Sequence, residues 1–196
     1  MADDAITFIK LLRFLKIDLI ALSMGGMIAQ ELISKEPNLI RKVVLVGTGP
    51  RGGKGISNVI RITNFDLVRA ALTFKDVKTY LFFPTTDNGK KKAKEFLTQI
   101  KKRKKHGDKT ISLKAYRKQL DAITKWGKEK PANLSKIVQP TLIINGDNDR
   151  MVPTENSYDL SNRIPNSKII IFNHAGHGSL FQYLKEFVEI VLTFLS

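Results

Sequence analysis

Four short runs of mainly aliphatic and β-branched residues, spaced by helical patterns, are what most restrict the architecture open to this chain. They are Ile17-Asp18-Leu19-Ile20-Ala21-Leu22, Lys42-Val43-Val44-Leu45-Val46-Gly47, Thr141-Leu142-Ile143-Ile144-Asn145 and Lys168-Ile169-Ile170-Ile171-Phe172. Each is shorter than a typical helix and reads almost continuously apolar, as strands covered on both faces do. Between and around them the apolar period is helical. Ile6, Ile9, Leu12 and Leu15 predict a helix over Ala5–Lys16, with Asp3 or Asp4 as its N-cap. Further helices are predicted over Met24–Lys35 (stopped by Pro37), about Thr154–Arg163 and about Leu180–Leu195. Strands alternating with helices predict an α/β fold with about four parallel strands.

The stretch between the second and third runs differs. A glycine-rich connection, Gly47–Gly55, leads into candidate helices over Val59–Phe74, Asp76–Phe83, Lys90–Lys105 and Leu113–Trp126. The expected organisation is therefore a core formed by residues 1–50 and 137–196 and a helical insertion over 51–136. The insertion also holds the charge. The chain of 196 residues has 33 Lys plus Arg against 18 Asp plus Glu, a net +15. From Arg51 to Lys136 there are 23 basic and 7 acidic residues, or +16, which leaves −1 for the rest. The densest runs are Lys90-Lys91-Lys92-Ala93-Lys94 and Lys101-Lys102-Arg103-Lys104-Lys105. Interleaved aromatics that would stack on bases are missing from them. They read as a solvated helical face with salt-sensitive, non-specific attraction to polyanions, and no specific nucleic-acid partner is expected.

Composition excludes several chemistries. With no cysteine and three His, neither a disulfide framework nor a Cys or multi-His metal centre is expected, and no cofactor is implied. No apolar run reaches the roughly 18 residues of a spanning helix, and the first residues, Met1-Ala2-Asp3-Asp4, are acidic where a signal peptide is basic. A soluble, cytoplasmic protein without a membrane partner is expected.

Three places can carry chemistry. Ser23, in Ala21-Leu22-Ser23-Met24-Gly25-Gly26, lies between a strand and a helix, where a sharp turn pushes the hydroxyl out and the helix N-terminus favours negative charge. Small residues two before (Ala21) and two after (Gly25) are expected to let strand and helix approach. The acidic loop Gly146-Asp147-Asn148-Asp149-Arg150-Met151-Val152-Pro153 follows the third strand, and Asn173-His174-Ala175-Gly176-His177-Gly178 follows the fourth. In a parallel sheet all three loops share one rim, the edge where α/β proteins bind ligands. Serine, carboxylate and histidine in that chain order suit nucleophilic acyl chemistry: histidine takes the serine proton and the carboxylate orients the imidazole. On the residues alone, Asp147 or Asp149 serves as the acid and His174 or His177 as the base.

The combination Leu22-Ser23-Met24-Gly25-Gly26, Gly146-x-x-Asp149-x-x-Val152-Pro153 and Ala175-Gly176-His177 resembles the α/β-hydrolase fold family, and within it small-molecule serine hydrolases such as enol-lactonases and cofactor-free haloperoxidases. The resemblance implies Ser23 as nucleophile, Asp149 as orienting acid, His177 as general base and acid, and the Met24 N–H as an oxyanion donor. His174 then closes the loop. It implies that the helical insertion is a cap whose apolar residues, Phe82, Phe83 and Trp126 among them, line an acyl pocket, and that the partner is a small ester, lactone or related acyl compound. The alternative within the same fold is a non-catalytic remnant or binding protein. The first position of the turn is Ala21 where the family pattern has glycine, and only 22 residues precede Ser23 where the family has about four more strands. Met1 thus reads as an internal methionine of a longer protein. With those strands goes the loop that supplies a second oxyanion donor. The first strand is then expected to present an open edge, suited to self-association or to a complementing N-terminal segment.

Overall fold

Each of the four apolar runs becomes a strand: β1 (Ile17–Leu22), β2 (Ile40–Val46), β3 (Thr141–Gly146) and β4 (Ser167–Phe172). The computed structural model describes residues 1–102 and 111–196. The strands form one sheet in the order β1-β2-β3-β4, every pair parallel. In register, Leu22 meets Val46, Val46 meets Ile144 and Gly146 meets Phe172, so the four strands end on a common rim. This is the expected α/β architecture of four parallel strands, with helices on both faces.

Strand alternation decides which helices each residue meets. Val43, Leu45 and Ile143 pack against α1 (Ala2–Leu11), α2 (Met24–Lys35) and α7 (Glu155–Arg163) through Ile6, Ile9, Leu32, Ile33, Leu160 and Ile164. Val44, Val46, Leu142 and Ile144 pack against Phe187 and Val191 of α9 (Leu184–Leu195). Val43 to Val46 are all within 1% of full burial, which explains why β2 carries no polar alternation. The crossovers through α2 and α7 lie on the same face, as the right-handed rule for parallel connections requires.

Helices α3 (Val59–Thr73), α4 (Lys78–Phe82), α5 (Asp87–Lys102) and α6 (Leu113–Lys128) lie between β2 and β3, as the change in sequence texture predicts. On α5 the lysines Lys90, Lys91 and Lys94 are exposed, and Lys90 and Lys92 pair with Asp87 and Glu95 of the same helix. The second basic run continues through Arg103-Lys104-Lys105, which lie outside the described residues. No helix among the described residues is long and apolar enough to cross a membrane.

Several boundaries differ from the expected ones. The first helix covers Ala2–Leu11 instead of Ala5–Lys16, so Asp3 and Asp4 sit in its first turn and the N-cap is Met1. The chain leaves the helix at Arg13, which adopts φ 59°. The apolar period that extended the prediction finds nothing to pack on, for Leu12, Phe14 and Leu15 are 50%, 56% and 92% exposed. Lys35 hydrogen-bonds Asp3 at 2.6 Å and thereby holds its carboxyl below the usual value. α5 begins three residues early because the Thr86 hydroxyl accepts the Gly89 N–H at 3.1 Å. The last predicted helix divides into α8 (Ser179–Gln182) and α9, with Tyr183 at the break. Its ring stacks on Phe172 at 4.8 Å and its hydroxyl donates to the Asn173 carbonyl at 2.8 Å, contacts that a continuous helix would forfeit.

The close approach of α2 to the sheet depends on a glycine other than the expected one. A Cβ on Gly25 would meet the Ala21 Cβ at 4.0 Å, an ordinary contact. A Cβ on Gly26 would lie 2.4 Å from Cγ2 of the buried Thr48. Gly25→Ala should therefore leave stability unchanged or raise it by up to ~1 kcal/mol through helix propensity. Gly26→Ala should destabilise by ~1–3 kcal/mol from overpacking, and denaturant midpoints of the two variants would separate these effects.

Among the described residues β1 is an edge strand with no partner strand on its outer side, and Ile20 on it is 55% exposed. An open edge with an apolar side chain favours pairing with a second copy, opposed by the net charge of +15. Light scattering should therefore show self-association that increases with salt as the repulsion is screened, and that Ile20→Lys suppresses. A mass independent of salt and of Ile20 would contradict this.

Candidate active site

The parallel sheet brings three loops together beyond Leu22, Gly146 and Phe172. Ser23 occupies the first with φ 54° and ψ −121°. Residues bearing a Cβ rarely adopt such a conformation, which costs ~1–3 kcal/mol. The surroundings hold it there. The Ser23 N–H donates to the Val46 carbonyl at 2.8 Å, and its own carbonyl accepts the Gly26 N–H at 2.9 Å. The side chain makes no capping bond to α2. Met24 opens that helix, and its N–H belongs to the first turn, where backbone donors have no intrahelical acceptor and the dipole favours negative charge.

The other two loops meet in a hydrogen-bonded pair. His177 Nδ1 lies 2.8 Å from Asp149 Oδ2, with 3% and 0% of the two side chains exposed. The second carboxylate oxygen of Asp149 accepts the Met151 and Val152 N–H groups, both at 2.9 Å. Every strong contact of that carboxylate is thus a donor, and the ring nitrogen left for other work is Nε2. Gly47, immediately after β2, has φ +52°, and a Cβ there would come 3.3 Å from the imidazole Cε1 and Nδ1. The imidazole therefore lies against the Gly47 backbone, while Ser23 is bonded to the neighbouring Val46. Among the described residues no hydrogen bond joins the Ser23 hydroxyl to the imidazole.

The neighbouring candidates hold the loops. Asp147 is exposed, and its Oδ1 accepts from Asn148 Nδ2 at 2.7 Å and the Ala175 N–H at 3.1 Å. Partial burial pushes its carboxyl up, but donors from His174, Asn148 and Ala175, with the His174 charge, outweigh it and leave the group below its ordinary value. His174 is exposed with φ 54°, and its carbonyl accepts Gln182 Nε2 at 2.7 Å. It turns the chain toward His177. Gly146 admits close contact between the two loops, since a Cβ on it would fall 2.1 Å from the Ala175 carbonyl oxygen.

The helical insertion reaches this rim through α4. The Phe82 carbonyl accepts the Gly178 N–H at 2.8 Å, and its ring lies 6.1 Å from the imidazole. Phe83 is buried and lines a cavity of about 450 Å³ together with Asp149, His177, Arg150, Arg69 and Tyr80. Trp126 is elsewhere: its indole donates to the Gly49 carbonyl at 3.2 Å, and it packs with Met27, Ile56 and Val59 where α6 joins the core. The cation–π contact with Arg51 lies on that side too. Phe65, Leu72 and Phe74, apolar residues of the same insertion, are 61%, 76% and 98% exposed. Tyr80, one of the apolar cap residues expected to line a pocket, does line this cavity, whereas sequence reasoning missed Arg69 and the close contacts made at Gly47 and Gly26. A glycine directly after a β-rich run was the one available signal, and it pointed only to a turn.

Comparison with known proteins adds the lineage. The alpha/beta hydrolase fold family matches residues 1–182. A curated relative, 2-hydroxy-6-oxo-6-(2'-aminophenyl)hexa-2,4-dienoic acid hydrolase of Metapseudomonas resinovorans, is 26% identical over 96% of this chain and 63% of its own length. The chain spans a little under two thirds (62–63%) of the curated relatives of this kind. Among solved structures, an alpha/beta hydrolase fold protein from Chitinophaga pinensis is 31% identical with a TM-score of 0.90, covering 100% of this chain and 70% of that one. A bromoperoxidase from Bacillus anthracis is 27% identical with a TM-score of 0.74, over 99% of this chain and 72% of its own. Strand order, the serine turn after β1 and a family match over most of the sequence agree, and this chain belongs to the α/β-hydrolase fold family.

Proposed function

We propose that the chain provides the catalytic rim of a serine hydrolase acting on small esters, lactones or related acyl compounds. The observation that carries this reading is the buried Asp149–His177 hydrogen bond on the rim where Ser23 is held in its strained turn. The hydrolase names of the relatives support the reaction type.

In the proposed reaction Ser23 Oγ attacks the acyl carbon while His177 Nε2 takes its proton. Asp149 keeps Nδ1 protonated and stabilises the imidazolium. The carbonyl oxygen, now negative, is met by the Met24 N–H; a single oxyanion donor of this kind is worth ~10²–10³ in rate. Imidazolium then protonates the leaving alkoxide, which departs as an alcohol and leaves a Ser23 ester. Water, losing its proton to His177, attacks that ester, and collapse of the second intermediate releases the acid and restores Ser23. In unliganded enzymes the nucleophile–base hydrogen bond is often long, so its absence here is compatible with the assignment. In this reading residues 51–136 act as the cap, with Phe83 and the contact of Phe82 on the His177 loop shaping the pocket from that side.

Fluorophosphonate labelling of the purified chain, with mass spectrometry of the adduct, tests the proposal. The adduct is expected on Ser23 and is abolished in Ser23→Ala with the fold retained. His177→Ala should slow labelling by ~10² or more. Asp149→Asn should slow it less, to the extent that water substitutes. Equal labelling of the parent and Ser23→Ala would remove the nucleophile assignment. A folded chain that takes no label would instead favour a non-catalytic protein of the same fold.

A further inference from the structure

The cavity beside the Asp149–His177 pair carries two guanidinium groups that the proposed acyl chemistry does not use. Arg150 follows Asp149 in the chain, and its Nη2 lies 3.4 Å from Oδ1 of Asp66 on α3. Asp66 is buried, and its other oxygen has no partner among the described residues. That long contact anchors the half-exposed Arg150 from behind.

Arg69 lies one helical turn beyond Asp66 on α3, and its guanidinium sits 4.1 Å from the centroid of the Tyr80 ring. Tyr80 is itself buried, and its hydroxyl is 2.8 Å from the Thr73 Oγ1, so the platform is rigid. A planar cation stacked on a fixed ring keeps its edge N–H groups available, and those match a carboxylate or phosphate bidentately. Among the described residues no carboxylate pairs with Arg69. The other charged groups about the cavity already have partners. Asp149 is bonded to two N–H groups and to His177, and Arg150 faces Asp66. Arg69 is therefore the guanidinium in this lining that has no carboxylate of its own among the described residues.

We propose that Arg69, with Arg150 beside it, forms an anion-binding subsite that selects acyl substrates bearing a carboxylate remote from the scissile bond. The proposal deepens the hydrolase reading and rests on it for the identity of the reacting group; the binding site itself does not require Ser23. Holding the far end of the substrate places the acyl carbon at the rim and leaves the hydrogen bonds of Asp149 as they are.

Two measurements test it. The first is equilibrium binding of succinate to the chain by calorimetry, at low and high salt. Binding is expected to weaken at least tenfold in Arg69→Gln, to weaken less in Arg69→Lys, which keeps the charge but loses the planar fork, and to weaken with salt. Lys16→Met removes one charge at the opposite end of β1 and should leave succinate binding as it was. The second is the ratio of kcat/KM for mono-4-nitrophenyl succinate over 4-nitrophenyl butyrate, an anionic and a neutral ester of similar size. That ratio should exceed one and fall at least tenfold in Arg69→Gln. Succinate binding equal in the parent and Arg69→Gln would overturn the subsite, as would ester turnover with no anionic preference. Arg69-dependent succinate binding in a chain whose Ser23 takes no label would sustain the subsite and reject the hydrolase reading.

Discussion

The parallel alignment of β1–β4 is the constraint on which the rest of the structure depends. Because all four strands run the same way, everything that follows a strand emerges at one rim, and residues as far apart in sequence as Gly47 and His177 become neighbours. The alignment is sustained by burial on both faces. Val43 and Leu45 face α1, α2 and α7, while Val44 and Val46 face α9. Each such side chain contributes about 1.5–3 kcal/mol when fully buried. A one-residue slip of β2 would exchange the two sets of neighbours, so packing holds the register, and the register carries the rim.

Polar satisfaction at that rim sets the character of the site. A buried carboxylate is tolerated when every contact is a donor, and Asp149 has two N–H groups and the His177 ring. The backbone supplies the rest through close approach. Gly47 lets the imidazole lie on the end of β2, and Gly146 lets the loops after β3 and β4 touch. Phe82 closes the arrangement from the helical insertion through its carbonyl, so the His177 loop is held from both the sheet and the helices above it. The strained Ser23 backbone persists because hydrogen bonds on both sides of the residue over-determine it.

Much of this was legible in the sequence, for identifiable reasons. Strands buried on both faces leave runs such as Val43-Val44-Leu45-Val46, and helices packed on one side leave a 3.6-residue period, both local patterns. The serine, acid and histidine loops could be placed on one rim from the parallel topology alone. Where the pattern misled, the cause was tertiary. Leu12, Phe14 and Leu15 carry a helical period but find no surface to cover, and the helix ends at Leu11. Tyr183 breaks the last helix because Phe172 and the Asn173 carbonyl hold its ring and hydroxyl. Trp126, an apolar residue of the insertion, closes α6 on Gly49 and not the cavity at His177.

By itself the sequence determined the fold class, the order of the elements, the place of the helical insertion, and the three loops that share a rim. Those depend on periodicity and chain order, which are local properties. The residues by themselves left Asp147 and Asp149 both open and the family resemblance pointed to Asp149; tertiary structure pairs Asp149 with the imidazole, for both follow the same strand within three residues and packing buries only the second. It also decided that Gly26, and not Gly25, is where α2 touches Thr48, and that Arg69 and Tyr80 face the Asp149–His177 pair across a shared cavity. Such choices depend on distances of a few tenths of an ångström between segments far apart in sequence, and no local pattern encodes them.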